Sequence, residues 1–479
     1  MLGAATGLAA EGAILALRKV VGGRGASIAI LTSLGVGGFV WGRHRRSPAQ
    51  SAVATAAEVT LVSVAGGEAA LVAYGLLPRQ QRTTLTRRAG ATAVAAASAI
   101  AAVRRGLAEP KDLVKASIRY DYLASVSGGS GSRLPLDSLD REGRKFLGNA
   151  IPAARIAEVM GEDAIDPIRV YAGLDSASEP DERARLAVEE LEHLGAFERG
   201  RIVFYCPTGA GFVNPVAVQA EELLSRGNVA SVVVQYANKR ALRAFKDLSL
   251  ARATWRRMLE ALVEALDARP ANKRPEIAVY GESLGAWVVA EALAEGGTET
   301  IARLHIDRGA LVGVPYPARQ KLRRLRDAGQ PLPDGVGVFG SADELMALSP
   351  DEQRGLRYVL LTHPEDPIGL FSGTRLLWER PDWLDRPRRD PRVPSKMRWI
   401  PGITYIQMVF DVKNGTGGTT AFQNYAHDYR VDAPALLRIA FGHDDVSDRQ
   451  LAAIEEEAVL ATERQARREA RAHVGPIRR

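Results

Sequence analysis

The chain has 479 residues, 46% of them apolar and 25% charged, with 63 Lys and Arg against 56 Asp and Glu, a net charge of +7. That length accommodates a full-size catalytic domain and one further unit, and the ordinary charge content excludes a wholly disordered or wholly membrane-embedded chain. Basic residues alternate with acidic ones and no basic run is interleaved with aromatics, so nucleic acid is set aside as a partner. Cys206 is the single cysteine, which excludes an intramolecular disulfide and a cysteine-based metal site; no cofactor or metal is expected.

The front of the chain differs from the rest. Four apolar stretches, about 2–17, 26–42, 51–77 and 89–103, are each bordered by basic residues such as Arg18, Lys19, Arg43, Arg45, Arg79, Arg82, Arg104 and Arg105. A membrane span needs about 20 apolar residues, a length the third stretch reaches and the others approach. Residues 1–107 therefore read as an all-α transmembrane helical domain, multi-pass in the cell membrane. A soluble Ala-rich bundle is the competing reading. Glu11, Glu58 and Glu68 fall inside these stretches, where a carboxylate is costly and marks a polar seam or an interfacial segment. The flanking charges are nearly balanced and do not orient the domain.

Residues 108–165 read as a linker and pre-domain, with the Gly/Ser-rich run from Ser127 to Ser132 as its flexible part. From 166 the pattern changes to short apolar runs alternating with amphipathic stretches. Strands are predicted at 168–171, 201–205, 229–235, 277–280, 310–314 and 358–362, with a shorter one at 337–340; helices are predicted at 181–194, 216–224, 254–266 and 433–440. This alternation predicts a doubly wound, mostly parallel α/β sheet over 166–445, with function beyond the carboxyl ends of its strands. A charged helical tail, solvated or facing a partner, follows at 446–479.

The stretch that carries chemistry is Gly281-Glu282-Ser283-Leu284-Gly285, a G-x-S-x-G between an apolar strand and a helix. A serine hydroxyl needs a base to take its proton, and the base, usually histidine, needs a carboxylate to orient it. Beyond Ser283 the predicted strand at 358–362 runs into His363-Pro364-Glu365-Asp366-Pro367. Asp366 is the candidate acid and Glu365 the alternative. Of the later histidines, His305 and His363 precede the acid and His473 lies in the tail, which leaves His427, in a loop before the predicted helix at 433–440. His443, just past that helix, is the competitor. An oxyanion needs two N–H donors: one is assigned to Leu284, the other to the loop Thr208, Gly209, Ala210 and Gly211 after the strand at 201–205. Residues 368–399, rich in Trp, Leu and Arg-Pro pairs, read as a lid or cap over an apolar acyl pocket.

Taken together, YGESLGAW, TGAGFVNP, IRVYAGLDSA, LLTHPEDPI, LLWERPDWL and the late AHDY resemble the actinobacterial membrane-linked α/β-hydrolase family, which has a multi-span N-terminal domain. The chain departs from that family's glycine-rich pattern just before the base, where Asn424-Tyr425-Ala426-His427 stands. The resemblance implies an α/β-hydrolase fold with Ser283 as nucleophile, Asp366 as acid and His427 as base. The resulting expectation is a membrane-anchored serine hydrolase whose partners are a lipid or acyl-ester substrate and the bilayer. An acyltransferase using the same triad and an idle hydrolase-fold scaffold are the alternatives.

Overall fold

The computed structural model describes residues 120–474, apart from 239–246, 328–332, 386–388, 392, 394 and 416–425. The chain divides into two units, Met1–Leu113 and Val114–Arg479, and every described residue belongs to the second. The four apolar stretches and Glu11, Glu58 and Glu68 lie outside the described residues, as does Tyr425. Among the described residues no helix is long and apolar enough to cross a membrane.

Seven strands form one sheet: β1 (Ile168–Ala172), β2 (Arg201–Cys206), β3 (Val229–Val234), β4 (Glu276–Glu282), β5 (Arg308–Val312), β6 (Val336–Phe339) and β7 (Tyr358–Leu361), in the order β1-β3-β2-β4-β5-β7-β6. Every neighbouring pair is parallel. Parallel sheets are buried on both faces, and alternation along the strands sorts side chains between two cores. On β2, Ile202, Phe204 and Cys206 enter one cluster, while Val203 and Tyr205 enter the other.

The helices, in chain order, are α1 (Arg141–Gly148), α2 (Ala153–Met160), α3 (Pro180–His193), α4 (Pro215–Leu224), α5 (Leu248–Asp267), α6 (Leu284–Arg303), α7 (Tyr316–Asp327), α8 (Ala342–Met346), α9 (Pro350–Gly355), α10 (Pro367–Leu370), α11 (Ile403–Gly415), α12 (Ala433–Ala440) and α13 (Asp448–Val474). Helices α3, α5 and α6 cover one face through Leu191, Trp255, Leu262 and Val288. Helices α1, α2, α4, α12 and α13 cover the other through Phe146, Ile156, Leu223, Leu436 and Ile454.

This division marks the candidate functional end of the molecule. Adjacent strands β2 and β4 send their following helices, α4 and α6, to opposite faces. In open α/β sheets such diverging connections mark where a crevice forms beyond the carboxyl ends of the strands. Cys206 and Gly281 are in register there.

Two regions differ from their sequence reading. The Gly/Ser run is packed against the sheet edge: Val126 bridges Arg169, the Ser127 amide donates to the Arg169 carbonyl at 2.9 Å, and Ser132 Oγ donates to Glu190 at 2.5 Å. A Cβ at Gly129 would lie 2.1 Å from the Leu123 carbonyl oxygen. Glycine is there because backbones touch, a need composition does not separate from flexibility. The tail helix α13 is also not solvated all round, since Leu451, Ile454, Ala458 and Ala461 are buried at helical spacing.

Beneath β1 lies a buried ion pair, Arg169 with Glu222, both fully buried and joined through Nε–Oε1 at 2.5 Å and Nη2–Oε2 at 2.8 Å. Arg169 also donates to the carbonyls of Phe146 and Asn149. Removing one charge of such a pair strands the other in a low-dielectric interior. Glu222→Gln is expected to destabilise the fold by about 3–5 kcal/mol, read as the shift in chemical denaturation midpoint; a loss within about 0.5 kcal/mol, typical of surface changes, would contradict this account.

Candidate active site

Ser283 stands at the turn between β4 and α6 with φ 56° and ψ −115°. Positive φ is uncommon for a residue with a side chain, and holding it costs on the order of 1–3 kcal/mol. The flanking glycines explain how the turn is possible. A Cβ at Gly281 would lie 2.8 Å from the Ala286 amide nitrogen, and one at Gly285 would lie 2.2 Å from the Cys206 carbonyl oxygen. The second contact also brings the first turn of α6 against the end of β2, so the loop that follows Cys206 lies beside the turn. The Ser283 amide is held by the Val312 carbonyl at 2.9 Å, continuing the ladder between β4 and β5.

The next residue, Gly313, meets the histidine. It has φ 59°, and a Cβ there would lie 2.8 Å from His427 Cε1 and 2.8 Å from Tyr429 Cε2. Ser283 and His427 are thus held by consecutive residues, Val312 and Gly313, one by a hydrogen bond and one by close packing. His427 Nδ1 is 2.7 Å from Asp366 Oδ2. Asp366, not Glu365, is the carboxylate that meets this histidine.

Asp366 is fully buried and supplied with three donors. His427 and the Tyr429 hydroxyl, at 2.6 Å, share Oδ2, and the Ile368 amide donates to Oδ1 at 2.8 Å. Burial alone would raise its pKa, but the charge of His427 and these hydrogen bonds together hold the carboxyl below the usual range. For His427, burial favours the neutral ring. The charge and hydrogen bond of Asp366, joined by the charge of Glu282, outweigh it and raise the imidazole above its ordinary value.

Sequence reasoning set His363 aside as a base and did not anticipate the work it does. Its ring stacks on Tyr429 at 4.4 Å, its Nδ1 meets the Ala426 carbonyl at 2.9 Å and its Nε2 meets Asp432 Oδ2 at 3.0 Å. Its amide donates to the Tyr429 hydroxyl at 3.2 Å. It fixes the segment that presents His427 to the loop that presents Asp366. The available signals were the His in LLTHPEDPI and the Tyr two places after His427.

His443 lies at the opposite end of the sheet. Its Nε2 is 2.9 Å from Glu221 and 2.9 Å from Arg201, the first residue of β2. The loop after β2 is a tight turn in which the Thr208 amide donates to the Phe212 carbonyl and the Gly211 amide to the Thr208 carbonyl, at 2.9 and 2.8 Å. Among the described residues, the amides of Gly209, Ala210 and Leu284 have no protein acceptor. Of the four loop residues singled out from sequence, two therefore use their N–H groups internally. Among the described residues, no three His, Cys, Asp or Glu side chains gather to hold a metal.

The segment expected to form a cap holds a small apolar core of its own. Leu376, Trp383, Leu384, Val393 and Met408 are buried together, and the indole N–H groups of Trp383 and Trp399 donate to the Leu370 and Leu376 carbonyls at 3.0 and 2.9 Å. It is inserted in sequence between Asp366 and His427. Trp378, Ile400 and Ile403 remain exposed on it.

Residues 168–454, more than half the chain, match a family described as an alpha/beta-hydrolase family. No curated protein and no solved structure matches the chain significantly.

Tyr429→Phe removes one donor to the buried Asp366 carboxylate and leaves the His363 amide unpaired. A cost of about 1.5–3 kcal/mol is expected, as for hydrogen bonds to charged groups. A depressed carboxyl contributes stability that is full above its unfolded pKa and lost as pH falls through the folded one. Losing the Tyr429 donor raises the folded pKa and leaves the unfolded one unchanged, so the acid loss of stability should be smaller in the variant and complete at a higher pH than in wild type. Denaturant titrations at stepwise lower pH read both effects, and parallel curves for the two proteins would contradict the assignment.

Proposed function

Because the chain belongs to the alpha/beta-hydrolase family, a membership that points to hydrolase activity, we propose that it is a serine hydrolase cleaving a lipid or acyl ester through Ser283, His427 and Asp366. The observation that carries this reading is the 2.7 Å contact of His427 Nδ1 with Asp366, made where His427 packs on Gly313, one residue past the carbonyl that holds the Ser283 amide.

In this reading His427 Nε2 takes the proton of Ser283 Oγ as the oxygen attacks the acyl carbonyl. Asp366 keeps the other proton on Nδ1 and stabilises the imidazolium that forms. The tetrahedral oxyanion accepts from the Leu284 amide and from Gly209 or Ala210, whose N–H groups have no acceptor among the described residues. His427 then protonates the departing alcohol, leaving the acyl group on Ser283. Water, deprotonated by the same imidazole, releases it. An alcohol in place of that water would make the enzyme an acyltransferase.

The acyl or lipid class is supported by the cap. It exposes Trp378, Ile400 and Ile403, and residues 375–400 hold eight Lys and Arg against four Asp and Glu, which suits an ester with an apolar chain and an anionic surrounding. Anchoring in the membrane by residues 1–107 is part of the same proposal and rests on their apolar stretches alone.

Wild-type protein is expected to be labelled at Ser283 by a fluorophosphonate and to hydrolyse a short p-nitrophenyl ester. Ser283→Ala should abolish labelling and lower kcat by a factor on the order of 10⁴–10⁶, and His427→Ala should cost nearly as much, with the double variant hardly worse. Asp366→Asn should cost on the order of 10⁴. Wild-type protein that resists labelling would favour a scaffold role. Carbonate washing of membranes tests the anchor: the full chain should stay in the pellet, and complete release would sink that part of the proposal.

A further inference from the structure

Glu282, the residue before Ser283, is a half-buried carboxylate at the carboxyl end of β4. Ala278 and Tyr280 enter the core cluster that contains Tyr429, Leu436 and Phe441, whereas Ile277 and Val279 enter the opposite one. By alternation, Glu282 projects to the face of Tyr280 and Tyr429. Its hydrogen bonds agree: Oε2 accepts from the Tyr280 hydroxyl at 3.1 Å and from Asn214 Nδ2 at 2.9 Å. Asn214 is buried and held at its other end, where its Oδ1 accepts from the Val216 amide at 3.1 Å and caps α4. It stands two residues after Phe212, whose carbonyl closes the turn containing Gly209 and Ala210.

We propose that Glu282 is a positioning residue of the Ser283 site: through Asn214 it ties the turn after β2 to the serine turn, and it sets a second carboxylate on the face that His427 occupies. The proposal rests on the serine-hydrolase reading above.

Among the described residues, the charged and titratable groups around His427 are Asp366 at Nδ1, Glu282 from β4, His363 from the loop after β7, the Tyr429 phenol edge-on at 5.5 Å, and Asp428 on its own segment, which is paired with Arg430 at 2.5 Å. Of the carboxylates, Asp366 bonds the ring and Asp428 is neutralised by Arg430. Glu282 is therefore the further negative charge that favours the imidazolium. Burial raises its own pKa, with the charge of His427 opposing. A rate that needs neutral imidazole falls as pH drops through the imidazole pKa, so removing the Glu282 charge moves that fall to lower pH.

The experiment is the pH dependence of fluorophosphonate labelling of Ser283 in the full chain, with ester hydrolysis in parallel. Glu282→Gln keeps an oxygen for Asn214 and Tyr280 and removes only the charge; its acid limb should move down by roughly one pH unit, the lower end of what a charge near an ionisable group produces. Asn214→Ala keeps the charge and cuts the tie; it should lower the plateau rate and leave the acid limb in place. An acid limb unmoved in Glu282→Gln, or moved equally in Asn214→Ala, overturns the proposal. Wild-type protein labelled elsewhere than Ser283 overturns the serine reading itself, and the two failures are thereby told apart.

Discussion

The backbone of Ser283 is held where residues with side chains rarely go, and most of the functional end of the molecule is arranged to keep it there. Two glycines allow the contacts: Gly281 lets the strand approach Ala286, and Gly285 lets α6 approach the Cys206 carbonyl. Parallel pairing of β4 with β2 on one side and β5 on the other fixes the strand up to the turn. Strain of this kind persists only where neighbours over-determine the conformation. The same neighbours present the other functional groups, since Cys206 leads into the candidate oxyanion turn and Val312 leads to Gly313 and His427.

The acid is secured differently. Asp366 stands on a loop, and its orientation comes from accepting three hydrogen bonds while fully buried. Tyr429 acts as a junction, donating to Asp366 while accepting from the His363 amide. Because residues 367–426 separate acid and base in sequence, their meeting depends on both ends of that insertion being pinned. His363 does this through Ala426 and Asp432, a structural use of histidine close to the one proposed as base.

The opposite end of the sheet holds a separate set of charges. Arg201 contacts Glu221 at 2.8 Å and also Glu276, Arg308 contacts Glu276 at 2.9 Å, and His443 completes the group. These ions satisfy one another where the strands begin, and removing either sign would leave the remainder poorly paired. The two ends therefore differ in kind: one is an ionic network, the other has amides without an acceptor among the described residues and a histidine–carboxylate pair beside a strained serine.

The sequence by itself determined the α/β alternation, all seven strands to within two residues at most ends, and the G-x-S-x-G turn, because buried parallel strands read as short apolar runs and a tight strand-to-helix turn demands glycine at fixed spacing. It also nominated Asp366 and His427, through chain order and the loops they occupy. Tertiary structure alone decided what order cannot: that Asp366 rather than Glu365 meets His427, that His443 belongs to the far end of the sheet, and that Thr208 and Gly211 spend their amides within the turn. It also decided that a Gly/Ser run resembling a linker is glycine-rich because Gly129 abuts the Leu123 carbonyl. The physical reason is common to these cases. Periodicity and turn chemistry are local and are written along the chain, whereas which carboxylate faces which imidazole, and which amide finds an acceptor, depends on contacts between residues tens of positions apart.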